Sequence, residues 1–103
     1  MSRSFRVHPE VVESDLADAV SYYRDIDEAL PGRLVEEYEA GLRRIAAHPT
    51  LLAECQPGWR RVLLARFPYL LAFVVSEETI HVVGLFHTRR EPAMMAGAVR
   101  DRR

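Results

Sequence analysis

Apolar and polar residues alternate over Phe5-Arg6-Val7-His8, which predicts a short strand that Pro9 ends. From Glu10 the period changes. Val12, Leu16, Ala19, Val20, Tyr23 and Ile26 recur every three or four residues and form one face of a helix. Glu10, Glu13, Asp15 and Asp18 crowd its early turns, where they favour the positive end of the helix dipole. Leu30-Pro31-Gly32 breaks the pattern. A second helix follows, with Leu34, Val35, Tyr38, Leu42 and Ile45 on one side, and His48-Pro49 stops it. Glu36, Glu37, Glu39, Arg43 and Arg44 fall mainly on its other side, with Glu39 and Arg43 spaced as a favourable i,i+4 pair. So short a connection makes the two helices an antiparallel hairpin.

Thr50 to Gly58 reads as a loop, and Trp59 to Ala65 as the next strand. Phe67-Pro68-Tyr69 turns the chain. Tyr69 to Val75 is almost continuously apolar, the mark of a central strand covered on both faces. Ser76-Glu77-Glu78 turns again into a last strand, Thr79 to His87. The tail, residues 92–103, is expected to form a loose helix with a frayed Arg100-Asp101-Arg102-Arg103 end. The order β-α-α-β-β-β predicts an α+β domain of two layers, a helical hairpin packed on a curved antiparallel sheet. With 103 residues, the chain is expected to be one domain over 1–103.

Charge divides this architecture. Residues 1–55 carry 11 acidic residues against 6 arginines, and residues 56–103 carry 4 against 8. The helical half is acidic and the sheet half basic, which points either to an acidic or anionic partner for the sheet half or to two halves that partly neutralise each other across one fold. All 14 basic residues are arginine, the side chain that grips carboxylates and phosphates with a planar fork, although genomic base composition, with alanine also abundant, accounts for the same bias. A single cysteine, Cys55, excludes an internal disulfide and fits a cytoplasmic location. No apolar run is long enough for a bilayer span, and no secretory h-region follows the N-terminus.

Candidate chemistry lies at the strand ends. Arg60, Arg61, Arg66, Arg89 and Arg90 end strands that are expected to be neighbours, so that one rim could hold a phosphate or an acidic peptide. Trp59 could anchor a partner or cap the core. His81, His87 and Arg89 share parity and would point to one side of a regular last strand, with His87 able to exchange a proton near neutral pH. The sequence has no glycine-rich phosphate loop, CxxC, HExxH or GxSxG motif, and no metal site or cofactor is expected. Cys55, in a proline-flanked loop without a nearby histidine, does not read as a nucleophile.

Phe5-Arg6-Val7, Asp15-Leu16 with Tyr22-Tyr23, Leu30-Pro31-Gly32-Arg33, Ile45 with Pro49, Arg61, Arg66-Phe67-Pro68-Tyr69, Phe73 and His87-Thr88-Arg89-Arg90-Glu91-Pro92 together carry a resemblance. Over nearly its whole length the chain resembles the ParE/RelE superfamily of toxins from bacterial type II toxin–antitoxin systems, and the ParE branch most. The resemblance implies a cognate, ParD-like ribbon–helix–helix antitoxin whose C-terminal segment wraps the toxin, contact with DNA only through that antitoxin, and DNA gyrase as the target. It carries an alternative, a RelE-type endoribonuclease that cuts mRNA on the ribosome. Such an enzyme would have to be built from Arg61, Arg66, His87 and Arg89. Leu70 stands where the nucleases resemble an Arg-Leu-Val-Tyr pattern, and lysines are missing, so the resemblance favours binding over cleavage. Trp59, Arg60, Arg61, Arg66, Tyr69, His87, Arg89 and Arg90 are the residues expected to meet target or antitoxin.

Overall fold

The computed structural model describes residues 3–52, 54–56 and 58–103. Met1 and Ser2 of the N-terminus read for a leader, Ala53 and Pro57 of the expected loop, and the side chains of Cys55 and Gln56 lie outside the described residues. The elements run β1 (Ser4–Val7), a π-helical segment (Val11–Leu16) that leads directly into α1 (Ala17–Ile26), α2 (Leu30–Ala47), β2 (Glu54–Gln56), β3 (Trp59–Leu63), β4 (Tyr69–Val75), β5 (Thr79–His87) and α3 (Pro92–Arg102). The described strands form one five-stranded sheet in the order β1-β5-β4-β3-β2. β2 is a correction to the expected loop, a short edge strand paired with Trp59 and Arg60. The meander β3-β4-β5 is antiparallel as expected, whereas β1 pairs parallel to β5, so the sheet is mixed. No helix among the described residues is long and apolar enough to cross a membrane.

Two local features shift the helices from the positions their sequence suggests. The π-helical turn spaces Val11 and Leu16 five residues apart and buries both, while Val12 is left 49% exposed. The hairpin break comes earlier than Leu30-Pro31-Gly32. Asp27 Oδ1 accepts the Ala29 N–H at 2.8 Å, and α2 starts at Leu30 with Pro31 inside its first turn, where a missing N–H costs nothing.

Burial explains why the layers stay together. On one face, Leu16 and Ala19 with Leu34, Tyr38 and Ile45 of α2 pack on Val62, Leu71, Phe73, Val82 and Leu85. Each large side chain so buried stabilises the fold by about 1.5–3 kcal/mol. α2 lies close to the sheet because position 41 is glycine; a Cβ there would meet Leu71 Cδ1 at 2.7 Å. The other face is also covered. Met95 and Val99 of α3 pack on Trp59, Leu70, Ala72, Val83 and Phe86. Thus β4 is the central strand, with Leu71 and Phe73 on the hairpin face and Leu70 and Ala72 on the α3 face.

β5 is not regular. Ala72 pairs with Gly84 and Phe73 with Val82, so Val83 is a bulge residue without a partner of its own on β4. Ile80, Val82 and Leu85 therefore face the hairpin, while Val83 and Phe86 face α3. The shared side expected for His81 and His87 is overturned by this bulge. His81 pairs with Val74, which packs on the α3 face, whereas His87 pairs with Tyr69, which packs on the hairpin face. Gly84 makes the bulge possible, because a Cβ at that position would fall inside the Phe86 ring.

Beyond Val7 the outer edge of β5 loses its strand partner, and side chains take over. Leu85 N–H donates to Asp15 Oδ2 at 3.0 Å, and Arg102 Nη1 donates to the Val83 carbonyl at 3.1 Å. Arg102 also grips Asp15 with both Nη atoms, at 2.6 and 3.1 Å, and Glu10 lies 3.7 Å from its Nη2. The side chains of Asp15 and Arg102 are 7% and 15% exposed. The frayed tail is thus a second correction: α3 is helical from Pro92 to Arg102, and its last turn is held by a nearly buried ion pair.

Three expectations follow. Arg102→Met removes one partner of that pair and leaves Asp15 uncompensated, which should lower stability by about 3 kcal/mol; denaturant unfolding checks this, and combining it with Asp15→Asn, which removes the charge but keeps an oxygen for the Leu85 N–H, should restore part of the loss. Gly84→Ala should cost roughly 1–3 kcal/mol through overpacking against Phe86, read in the same experiment. Burial, then Arg6 and His8, push the His81 imidazole below its ordinary 6.5. The unfolded chain then binds more protons just below that pH, so stability is complete above it and falls on acidification. Thermal melts between neutral and mildly acidic pH should show the decline, and His81→Gln should flatten it.

Candidate functional site

The end of the sheet where β4 begins and β5 stops is framed by two turns and by the middle of α1. Thr88 N–H donates to the Pro68 carbonyl at 2.8 Å and ties the turn after β3 to the turn after β5. Glu37 of α2 accepts the Arg66 N–H at 2.8 Å, and Arg44 donates to the Leu63 carbonyl at 3.2 Å, so α2 fixes the first of these turns. Across this end an aromatic chain runs from helix to sheet. Tyr22 meets Tyr23 edge-on at 5.0 Å, Tyr23 meets Phe67 at 4.9 Å and Tyr69 at 6.2 Å, and Tyr69 meets His87 at 5.2 Å.

Two hollows open along this chain. One, about 400 Å³, is lined by Tyr22, Tyr23, Pro68, Tyr69, His87 and Arg89. The other, about 340 Å³, is lined by Tyr22, Tyr69, His87, Asp15, Asp18, Ala19, Leu85 and Arg90. They share Tyr22, Tyr69 and His87, and so form one trough between α1 and the ends of β4 and β5. Arg89 N–H donates to His87 Nδ1 at 3.1 Å, which puts the ring proton of the neutral imidazole on Nε2. Burial, aided by neighbouring Tyr22, raises the Tyr23 phenol above its ordinary value; burial with Tyr23, Tyr22 and Asp18 does the same to Tyr69. Both phenols therefore stay protonated at neutral pH. Arg90 sits over the Phe86 ring at 5.1 Å and is positioned by it.

The expected arginine rim divides. Arg66, Arg89 and Arg90 lie in the turns at the trough end, although Arg66 does not line either hollow. Arg60 and Arg61 open β3 at the far end, opposite Phe73 and Ala72. Arg60 donates to the Leu52 carbonyl at 2.8 Å and lies 4.0 Å from Glu54, holding the segment that follows α2. Arg61 pairs with Ala72, a residue of the α3 face, and so projects from the opposite side of the sheet to Tyr69 and His87. Trp59 is 5% exposed within the α3-side core. Tyr22, Tyr23, Pro68 and Asp18 were not singled out as site residues from the sequence. The adjacent Tyr22-Tyr23 pair is a signal in retrospect, since a helical period buries only one of two neighbours and presents the other, here 60% exposed.

Known proteins share this arrangement. A solved chromosomal ParDE TA system from P. aeruginosa superposes with a TM-score of 0.72 at 17% identity, over 82% of this chain and 95% of that one, a likeness of fold. Toxin ParE2 of Mycobacterium tuberculosis, in both strain CDC 1551 / Oshkosh and strain H37Rv, is 30% identical over 106 residues, covering 99% of this chain and 97% of the relative. Residues 6–92 match the family model of the ParE toxin of type II toxin–antitoxin system, parDE, and the chain belongs to that family.

Proposed function

We propose that this toxin arrests growth by binding its target rather than by cleaving RNA, and that an antitoxin segment neutralises it by occupying the trough between α1 and the ends of β4 and β5. One observation carries the first part. The four residues from which a nuclease would be built, Arg61, Arg66, His87 and Arg89, do not line one hollow, for Arg61 is on the other face of the sheet and Arg66 lies outside both hollows. Arg61 stands on the α3 face, while His87 and Arg89 line a hollow on the hairpin side. Burial pushes the phenol of Tyr69, edge-on to His87, above its ordinary value, which makes it a poorer base still. An aromatic trough bordered by arginines is instead a surface for a polypeptide, in which aromatic walls accept side chains and arginines fix orientation.

The ParDE name of the structural neighbour and the ParE family support a cognate antitoxin as partner, and we extend this to an antitoxin of the ribbon–helix–helix type with DNA gyrase as the cellular target in the cytoplasm. Two assays on the purified protein separate the readings. DNA supercoiling by gyrase should be inhibited in proportion to added toxin, and addition of the cognate antitoxin should reverse the inhibition. Ribosome-dependent mRNA cleavage should stay at background, with His87→Ala indistinguishable from the parent. Cleavage that disappears in His87→Ala would replace this proposal with the endoribonuclease reading.

A further inference from the structure

The larger hollow has a polarity that the rest of the trough lacks. Two of its acceptors are engaged: His87 Nδ1 takes the Arg89 N–H, and the Pro68 carbonyl takes the Thr88 N–H. Its donors are His87 Nε2–H, the hydroxyls of Tyr22, Tyr23 and Tyr69, and the Arg89 guanidinium, the one arginine in its lining. No carboxylate lines this hollow, and among the described residues no acidic side chain pairs with Arg89. Asp15 and Asp18 line only the neighbouring hollow, and Asp15 is engaged by Arg102 and Leu85.

We propose that this hollow is a receptor for a single acidic side chain carried by the antitoxin segment, with Arg89 and His87 Nε2 donating to its carboxylate and the tyrosine rings flanking its methylenes. The inference rests on the reading that the trough holds the antitoxin. A volume of about 400 Å³ suits one long side chain and the backbone beside it. Charge argues for an isolated carboxylate over a nucleic acid. A nucleic-acid strand needs several phosphates neutralised in a row. Here one arginine lines the hollow, and a strand continuing along the trough would meet only one more, Arg90, beside Asp15 and Asp18. A lone carboxylate meets the donors of this hollow and stops short of Asp15 and Asp18 in the next.

Blocked glutamate (N-acetyl-glutamate N-methylamide) is the probe, with blocked glutamine as its neutral isostere and inorganic phosphate as a third arm. Titrated at millimolar concentration into the isotope-labelled toxin, the glutamate should give saturable NMR shifts at Tyr69, the His87 ring and the Arg89 guanidinium. Glutamine should bind about tenfold more weakly or worse, and Arg89→Ala should abolish the glutamate response. Equal responses to glutamate and glutamine, no saturable response, or a tighter response to phosphate would each overturn the proposal. A second measurement isolates the reading beneath it. Affinity for the co-expressed cognate antitoxin should fall about tenfold or more in Arg89→Ala. A glutamate response in the parent with unchanged antitoxin affinity in the variant would show a carboxylate site that the antitoxin does not use, and would sink the assignment of source.

Discussion

The bulge at Val83 and Gly84 decides what each half of β5 presents. Without it, one parity would run from Ile80 to His87, and the two histidines would share the α3 face. With it, the strand turns over once, so that Val82 and Leu85 both enter the hairpin core and His87 arrives beside Tyr69. The same irregularity leaves Val83 and Leu85 with backbone groups facing an edge that β1 no longer covers. Such groups need partners, and Asp15 and Arg102 supply them from two elements that are remote in sequence. The ion pair is therefore part of the sheet's hydrogen bonding as well as a tether for α3.

This coupling links fold and site. Asp15 both anchors β5 and lines the smaller hollow; Phe86 fills the space over Gly84 and carries Arg90 on its ring. The trough is thus built on a buried and fully engaged support, which is the condition for holding side chains in fixed orientations.

Much of this was legible in the sequence, and the failures have physical causes. The limits of β4 and β5 were read correctly because apolar runs bounded by charged turns leave little freedom of placement. The helical hairpin was read from its periodicity, but a π-helical turn exchanged Val11 for Val12 on the buried side, a shift that a fixed 3.6-residue period cannot express. The arginine rim failed in part because strand ends in a meander alternate between two edges of the sheet: the start of β3 lies far from the start of β4. Parity across β5 failed because of Gly84, and an isolated glycine in a strand pattern is itself the sign of a bulge. α3 looked unanchored because its partner, Asp15, lies 87 residues away and no local pattern connects them.

The placement of Trp59 has a spectroscopic consequence. It is the sole tryptophan of the chain and is packed with Met95 and Val99 of α3 on one side of the sheet, while the tyrosines of the trough lie on the other. Its emission therefore reports whether α3 is seated and is insulated by the sheet from whatever fills the trough. Tyrosine absorbance reports the opposite side, so two intrinsic chromophores divide the molecule without any added label.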